Sequence, residues 1–298
     1  MVVILLFALY FASQVGFALT RRKCADFVCD DSIVSKAVFL LVNCAMSLIF
    51  FWLLAGCRIY TDWKLVGLSA IFALICIGSN ISGLYALTYC LAASATSVQN
   101  GGNMVIASVL GFWLWQEEAT LPRIVAIALM LAAIYFIYKE AKGEKTQDAP
   151  LGKRLLFLGL TAVFAALTTV INKFFVEICG DAEQNSYCFY CNVFMIAFCL
   201  VYLAVHCVKK SFPKAEIREF MQPKRLGLLT GNSVIGNLGT VAMLPLLALV
   251  DVAVFSTVST SLGILSGVAV SVMLRQKMTK FTYLSVVLAI AAVALQAV

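Results

Sequence analysis

Between Gly78 and Ile137 the chain is apolar almost without interruption, broken only by the short polar turn Gln116–Thr120. About 20 apolar residues already span a bilayer as a helix, so a run of this length crosses more than once. The run has an echo further along. Setting Thr120 on Thr279 pairs the turn QEEAT (Gln116–Thr120) with RQKMT (Arg275–Thr279). In that register Ser97 falls on Ser256, Val109 on Val268, and Ala132–Ala133 on Ala291–Ala292. Identity is thin, but the order repeats: a long apolar helix, a charged turn ending in Thr, then a shorter helix rich in Ala, Leu and Val. The pattern predicts a tandem duplication of a membrane unit.

Composition agrees. The 298 residues are 62% hydrophobic and 12% charged, with a mean hydropathy of +0.98. No soluble domain hides that much apolar surface, so the expected class is an all-α polytopic membrane protein. The net charge of +7 would suggest nucleic acid in a soluble protein. Here the Lys and Arg fall between apolar runs, which points to loops at the membrane surface and excludes a nucleic-acid partner. The first apolar run, Val2–Leu19, lacks a small-residue cleavage site and is long enough to remain as a span.

Apolar periodicity predicts ten helices, at residues 2–20, 35–57, 65–89, 93–115, 121–138, 154–177, 187–208, 225–248, 250–274 and 280–297. They divide into a first five-helix repeat (1–138), a polar linker (139–152) containing Gly143 and Pro150, and a second five-helix repeat (153–298). An odd number of spans makes the second repeat enter the membrane upside down, an inverted-repeat architecture suited to alternating access. Pro122 falls in the first turn of the fifth helix, where a missing N–H costs nothing. Pro245 interrupts the eighth helix and frees a carbonyl at membrane depth. The turns after the odd-numbered helices hold 18 of the 22 Lys and Arg; the other side holds Arg58, Lys64, Arg123 and Lys173. The positive-inside rule then puts the basic side in the cytoplasm and both termini outside, with the plasma (inner) membrane as the expected location.

Eleven cysteines form no zinc or disulfide framework. Cys188 and Cys191 make a lone CxxC with Cys179 nearby, which leaves a bridge from Cys179 to either of them open. The chain also lacks HExxH, G-x-S-x-G and a phosphate-cradling Gly-Lys-Ser/Thr loop. Its sole histidine, His206, has no acidic residue close in sequence. An enzyme, a cofactor and self-contained ATP drive are therefore not expected.

Polar residues inside apolar runs are costly and tend to face the bundle interior. On the fourth helix Thr96, Gln99, Asn100 and Asn103 form one stripe at i, i+3, i+4 and i+7. On the ninth, Ser256, Ser259 and Thr260 repeat the spacing, continued by Gly263 and Gly267. Gln14, Asn80, Tyr85, Asn232 and Asn237 complete the candidate substrate-binding set. The competing reading is that such groups only join helices, and that Gly263-x-x-x-Gly267 is a packing face. For any single Ser or Thr that reading has the advantage. For three amides on one stripe the cavity reading does. Amides, hydroxyls and Tyr with little fixed charge suit a neutral or zwitterionic solute.

The second half of each repeat resembles EamA-type transporters of the drug/metabolite transporter superfamily. In that family the fourth helix ends in a Gly-Glu-x-x-Thr-like turn before a fifth helix rich in small residues. Glu117, Glu118 and Thr120 match, with Gln116 where the family has Gly; in the second copy Gln276 replaces the Glu and Thr279 is kept. Tyr85-Ala86-Leu87 resembles the family's Tyr-Ala-Leu, whereas Met243-Leu244-Pro245 does not. The resemblance implies ten helices, a central cavity and movement of small metabolites or drugs. It also implies cytoplasmic termini, opposite to the loop charge. Small multidrug relatives carry a Glu in the first helix; this chain has Gln14, which puts proton exchange through such a residue in doubt. The expected protein is a secondary transporter, acting as a monomer in the lipid bilayer on a small polar solute. A non-transporting membrane subunit is the alternative, with an intramembrane enzyme less favoured.

Overall fold

The computed structural model describes residues 2–27, 33–90, 92–116, 118–143, 150–180, 183–209, 218, 222–249, 252–276 and 278–296. Among them are ten long helices and no strand. They are α1 (Val2–Phe27), α2 (Ile33–Leu54), α3 (Trp63–Tyr89), α4 (Ala92–Leu114), α5 (Leu121–Gly143), α6 (Leu151–Cys179), α7 (Gln184–Lys209), α8 (Pro223–Leu249), α9 (Val252–Met273) and α10 (Lys280–Gln296). Among the described residues, five segments are long and apolar enough to cross a membrane: Val2–Ala25, Ile33–Leu54, Trp63–Tyr89, Leu151–Cys179 and Gln184–Cys207. In hydrocarbon every backbone polar group must be satisfied within its own segment, which is why the chain commits to helix throughout. This is a helical membrane protein.

Its outer surface fits that setting. Large apolar side chains such as Ile4, Leu74, Leu121 and Val287 point outward. Trp52, Tyr60, Trp63 and Trp113 are exposed at one end of the bundle, and Tyr135, Tyr202 and Tyr283 toward the other. These are positions where amphipathic rings settle at a membrane interface. The first end also carries the start of α1 and the close of α10, and is called the terminal end below. The second carries most of the Lys and Arg and is called the basic end.

The helix contacts have a regular pattern. α1 packs on α8 and α3 on α6; α4 packs on α6 and α1 on α9; α3 packs on α7 and α2 on α8. Each of these couples becomes its partner when α1–α5 are exchanged for α6–α10. The remaining large contacts, α2–α7, α4–α9 and α5–α10, map onto themselves. α4 and α9 run antiparallel: a Cβ on Gly263 would strike the Asn100 amide, and one on Gly267 would strike Thr96. Both glycines allow the two helices to approach closely.

The two turns set in register by the sequence also share a conformation. Gln116 has φ 51° and Arg275 has φ 52°, both left-handed and both ending a helix. Glycine is the residue that reaches this region without steric cost, so Gln116 and Arg275 meet the same backbone demand with side chains that pay for it. The Thr that closes the turn has its own task. Thr279 Oγ1 accepts from the N–H groups of Phe281 and Thr282, and Thr282 Oγ1 accepts from Thr279 N–H, an N-cap for α10. Gln276 Oε1 accepts from Ala92 N–H at 3.3 Å and Ser271 Oγ accepts from Ala93 N–H at 3.0 Å, so this turn also caps α4.

Several expected boundaries shift. α1 runs to Phe27 rather than ending at 20, which moves Arg21 and Arg22 from a loop onto the helix. α5 runs to Gly143 and α6 starts at Leu151, shortening the expected linker. α2 stops at Leu54, before a turn in which Gly56 and Cys57 both have φ 61°. α8 runs through Pro245. Cys179, Cys188 and Cys191 are free thiols, so neither disulfide left open by the sequence is present. Glu117 and Asp251 lie outside the described residues.

The basic end is packed. A cluster of buried residues from α1, α2, α3, α4, α6, α7, α8 and α9 fills it, including Cys24, Phe39, Leu84, Ala95, Leu158, Leu203, Leu229 and Val270. Lys36 is 1% exposed there. Its Nζ lies 3.8 Å from the centre of the Tyr85 ring, which stacks on Phe157 at 4.3 Å. A cation over an aromatic face recovers part of what its desolvation costs.

Candidate functional site

From the middle of the bundle toward the terminal end, the packing opens into a cavity of about 270 Å³. Its wall comes from α1, α2, α3, α6, α7 and α8, which alternate around it: α1 packs on α8, α8 on α2, α2 on α7, α7 on α3 and α3 on α6. Seven amides face it: Gln14, Asn43, Asn80, Asn172, Asn192, Asn232 and Asn237. Hydroxyls of Tyr10, Ser13, Ser47, Tyr187, Ser233 and Thr240 add to them, while Phe17, Phe51 and Phe72 supply apolar surface. Among the described residues no Asp, Glu, Lys, Arg or His lines this cavity.

One side of the wall is a connected network. Thr20 Oγ1 donates to Asn232 Oδ1 at 3.0 Å, and Asn232 Nδ2 donates to Asn43 Oδ1 at 3.2 Å. Asn237 Nδ2 donates to Ser47 Oγ at 3.1 Å, while Ser47 and Ser233 share a hydrogen bond of 2.9 Å. These bonds tie α1, α2 and α8 together one turn after another. Across the cavity Tyr187 stacks on Phe175 at 4.0 Å and donates to Asn172 Oδ1.

The network leaves polar groups over. Asn80 and Asn192 use Nδ2 on carbonyls of their own helices, leaving Oδ1 without a partner among the described residues. Asn237 Oδ1 and Asn172 Nδ2 are in the same position. Asn172, Asn192 and Asn237 are 7%, 6% and 8% exposed. These four atoms are not among the fully buried polar atoms that lack a partner, which leaves them accessible at the cavity. Several of them around one cavity make a surface able to bind a solute that both donates and accepts hydrogen bonds.

A second, smaller cavity of about 60 Å³ lies between α1, α3, α4 and α9. Gln14 and Phe17 line both cavities. The second also contains Arg21, Gly83, Thr96, Gln99, Asn100 and Ser266.

The structure therefore divides the expected site residues. Gln14, Asn80, Asn232 and Asn237 face the larger cavity; Thr96, Gln99 and Asn100, again with Gln14, face the smaller. Asn103 is directed to α6, where its Oδ1 accepts from Thr169 at 3.1 Å. Tyr85 is in the packed basic end, between Lys36 and Phe157. Ser259 and Thr260 line neither cavity, and Thr260 is 1% exposed. Ser256 is on α9, with its side chain outside the described residues. Asn43, Asn172 and Asn192 are additions to the expected set. Each stands in an apolar run, the criterion that selected Asn80, but each is isolated on its own helix.

No protein-family model matches the chain, and no curated protein is recognisably similar in sequence. Similarity does appear among solved structures. One described as "Crystal structure of protein" is 14% identical, with a TM-score of 0.54, and the match covers 96% of this chain and 94% of that one. At that identity the likeness speaks for the fold: the whole helical arrangement, end to end, is one that a solved protein adopts.

Proposed function

We propose that the chain is a secondary transporter of ten spans, built as two inverted five-helix repeats and related to EamA-type drug/metabolite transporters. It moves a small polar solute, neutral or zwitterionic, by alternating access. The observation that carries this reading is the amide-lined cavity, enclosed by three helices from each half of the chain. Supporting the repeat are the exchange pattern of helix contacts, the antiparallel α4–α9 pair and the matched left-handed residues Gln116 and Arg275. A volume of about 270 Å³ lies near the lower bound of small-molecule pockets, about 300 Å³. A metabolite fits that size.

With the basic end in the cytoplasm, one packed cluster lies on the cytoplasmic side of the cavity, and a second, including Leu65, Phe175 and Tyr187, lies on the outer side. The carrier acts as a monomer, since one chain supplies the entire wall. The test is uptake and efflux of labelled metabolites by the purified chain in proteoliposomes, with and without a pH gradient. Saturable flux that Asn237→Leu weakens is the expected result. A folded protein that moves none of the panel overturns the reading in favour of a non-transporting subunit.

A further inference from the structure

Arg21 does not occupy the loop that its neighbours Arg22 and Lys23 suggest. α1 continues through it, and the guanidinium turns into the bundle against α3. Nη2 donates to the Asn80 carbonyl oxygen at 3.3 Å, and Cζ lies 5.4 Å from the centre of the Phe17 ring. Contact with α3 is close: a Cβ on Gly83 would lie 2.7 Å from Nη2. Arg21 lines the smaller cavity, and its two immediate partners, Phe17 and Asn80, line the larger one. The charge therefore stands at the junction of the two spaces.

No carboxylate lines either cavity, and no Asp or Glu pairs with Arg21 among the described residues. A guanidinium presents five N–H donors in a planar fork, which fits a carboxylate with two parallel bonds. An arginine serving only to anchor the helix would extend to the interface and away from the interior. Here it faces inward, where an ionised group is costly and commonly belongs to the transport pathway.

We propose that Arg21 is a specificity-determining residue that receives the carboxylate of the transported solute, while the uncharged or ammonium-bearing remainder occupies the amide-lined cavity. This rests on the transporter reading and narrows its substrate class to small carboxylates, α-amino and α-hydroxy acids among them. Among the described residues the two linings together contain a single guanidinium, Arg21 in the smaller, and no Lys. One positive charge matches a monoanion; a phosphate monoester carries about −1.5 to −2 at neutral pH and would call for a second cation. The unpaired Oδ1 atoms of Asn80, Asn192 and Asn237 face the remainder of the solute and can accept from its ammonium or hydroxyl.

The test uses the full chain in proteoliposomes with a labelled panel of amino, hydroxy and keto acids, neutral sugars, nucleosides and amines. Each transported acid is then competed with its own primary amide and with inorganic phosphate. The proposal expects flux for carboxylates, with the amide competing at least about tenfold less well, a difference of about 1.4 kcal/mol. Arg21→Gln should abolish the distinction between acid and amide. Arg21→Lys, keeping charge but losing the fork, should retain part of it. Equal competition by acid and amide, or flux confined to sugars, nucleosides or amines, overturns the proposal and leaves the transporter reading standing. Competition by phosphate equal to that by the acid overturns the monoanion assignment. No flux for any solute overturns the transporter reading itself. The comparison of acid with amide needs only the wild-type chain, so a variant that fails to fold does not remove the test.

Discussion

Two sets of amides in this protein answer to the same description in sequence and do different things in space. Asn100 and Asn103 on α4 belong to a stripe with ideal helical spacing. The first donates to the Thr96 carbonyl under Gly263 of α9, and the second accepts from Thr169 of α6. Asn103 joins α4 to α6, while Asn100 bonds within its own helix, packs against α9 and borders only the narrow cavity. Asn43, Asn192 and Asn237 sit on three different helices with no stripe among them, yet they converge on the large cavity. Spacing along one helix reports which residues share a face. It does not report what that face meets. A binding surface assembled from several helices can take a single amide from one of them, as it takes Asn43 from α2 and Asn172 from α6, and that helix alone then does not display it.

The largest effect that would sharpen this contrast is expected at the α4–α9 contact. Gly267→Leu should destabilise the fold by about 3 kcal/mol, since overpacking a close contact costs up to roughly that much. Thermal unfolding in detergent reads it, and an unchanged midpoint would remove the joint assigned to the stripe. Next comes the cavity. Asn237→Leu should leave the unfolding midpoint within a few degrees while raising the half-saturating solute concentration by roughly thirtyfold, the equivalent of about 2 kcal/mol in hydrogen bonds. The comparison breaks if Asn100→Ala abolishes flux at unchanged stability and Asn237→Leu does not.

A smaller effect is expected at the turns. Gln116→Gly and Arg275→Gly should each stabilise by about 1 kcal/mol, because a side chain in left-handed backbone costs roughly 1–2 kcal/mol, less the entropy that glycine gives up. Equal gains would support equivalent turns, and a gain at one position alone would break the equivalence. The last check leaves energy aside. Cys57 is exposed at the terminal end, and an impermeant maleimide should label it from outside intact cells if that end faces outward. Labelling only after permeabilisation would invert the topology.

The helices were legible because hydrocarbon leaves the backbone one local solution and apolar runs mark where it applies. The turn ending in Thr279 was legible because its Thr is an N-cap, a requirement local to the chain. α4 fails the test of length and hydropathy that α2 and α3 pass, since amides, hydroxyls and glycines dilute its apolar character. The reach of α1 past Thr20 was hidden by charge. Arg21 and Arg22 look like the start of a loop, and only tertiary packing gives Arg21 an inward face. Tyr85 was singled out as a cavity residue, and its surroundings in the basic end come from Lys36 and Phe157, distant in sequence.

Four of the residues around the large cavity are cysteines: Cys44, Cys76, Cys188 and Cys191. Under the transporter reading the protein thus carries its own reporters on the surface that a passing solute must touch. Alkylation of these thiols from one side of the membrane proceeds only as often as the cavity opens to that side, so its rate measures occupancy of that conformation in the unmodified chain. A bound solute should slow the reaction in proportion to the time it spends there, and the conformational cycle can be followed before any label is introduced.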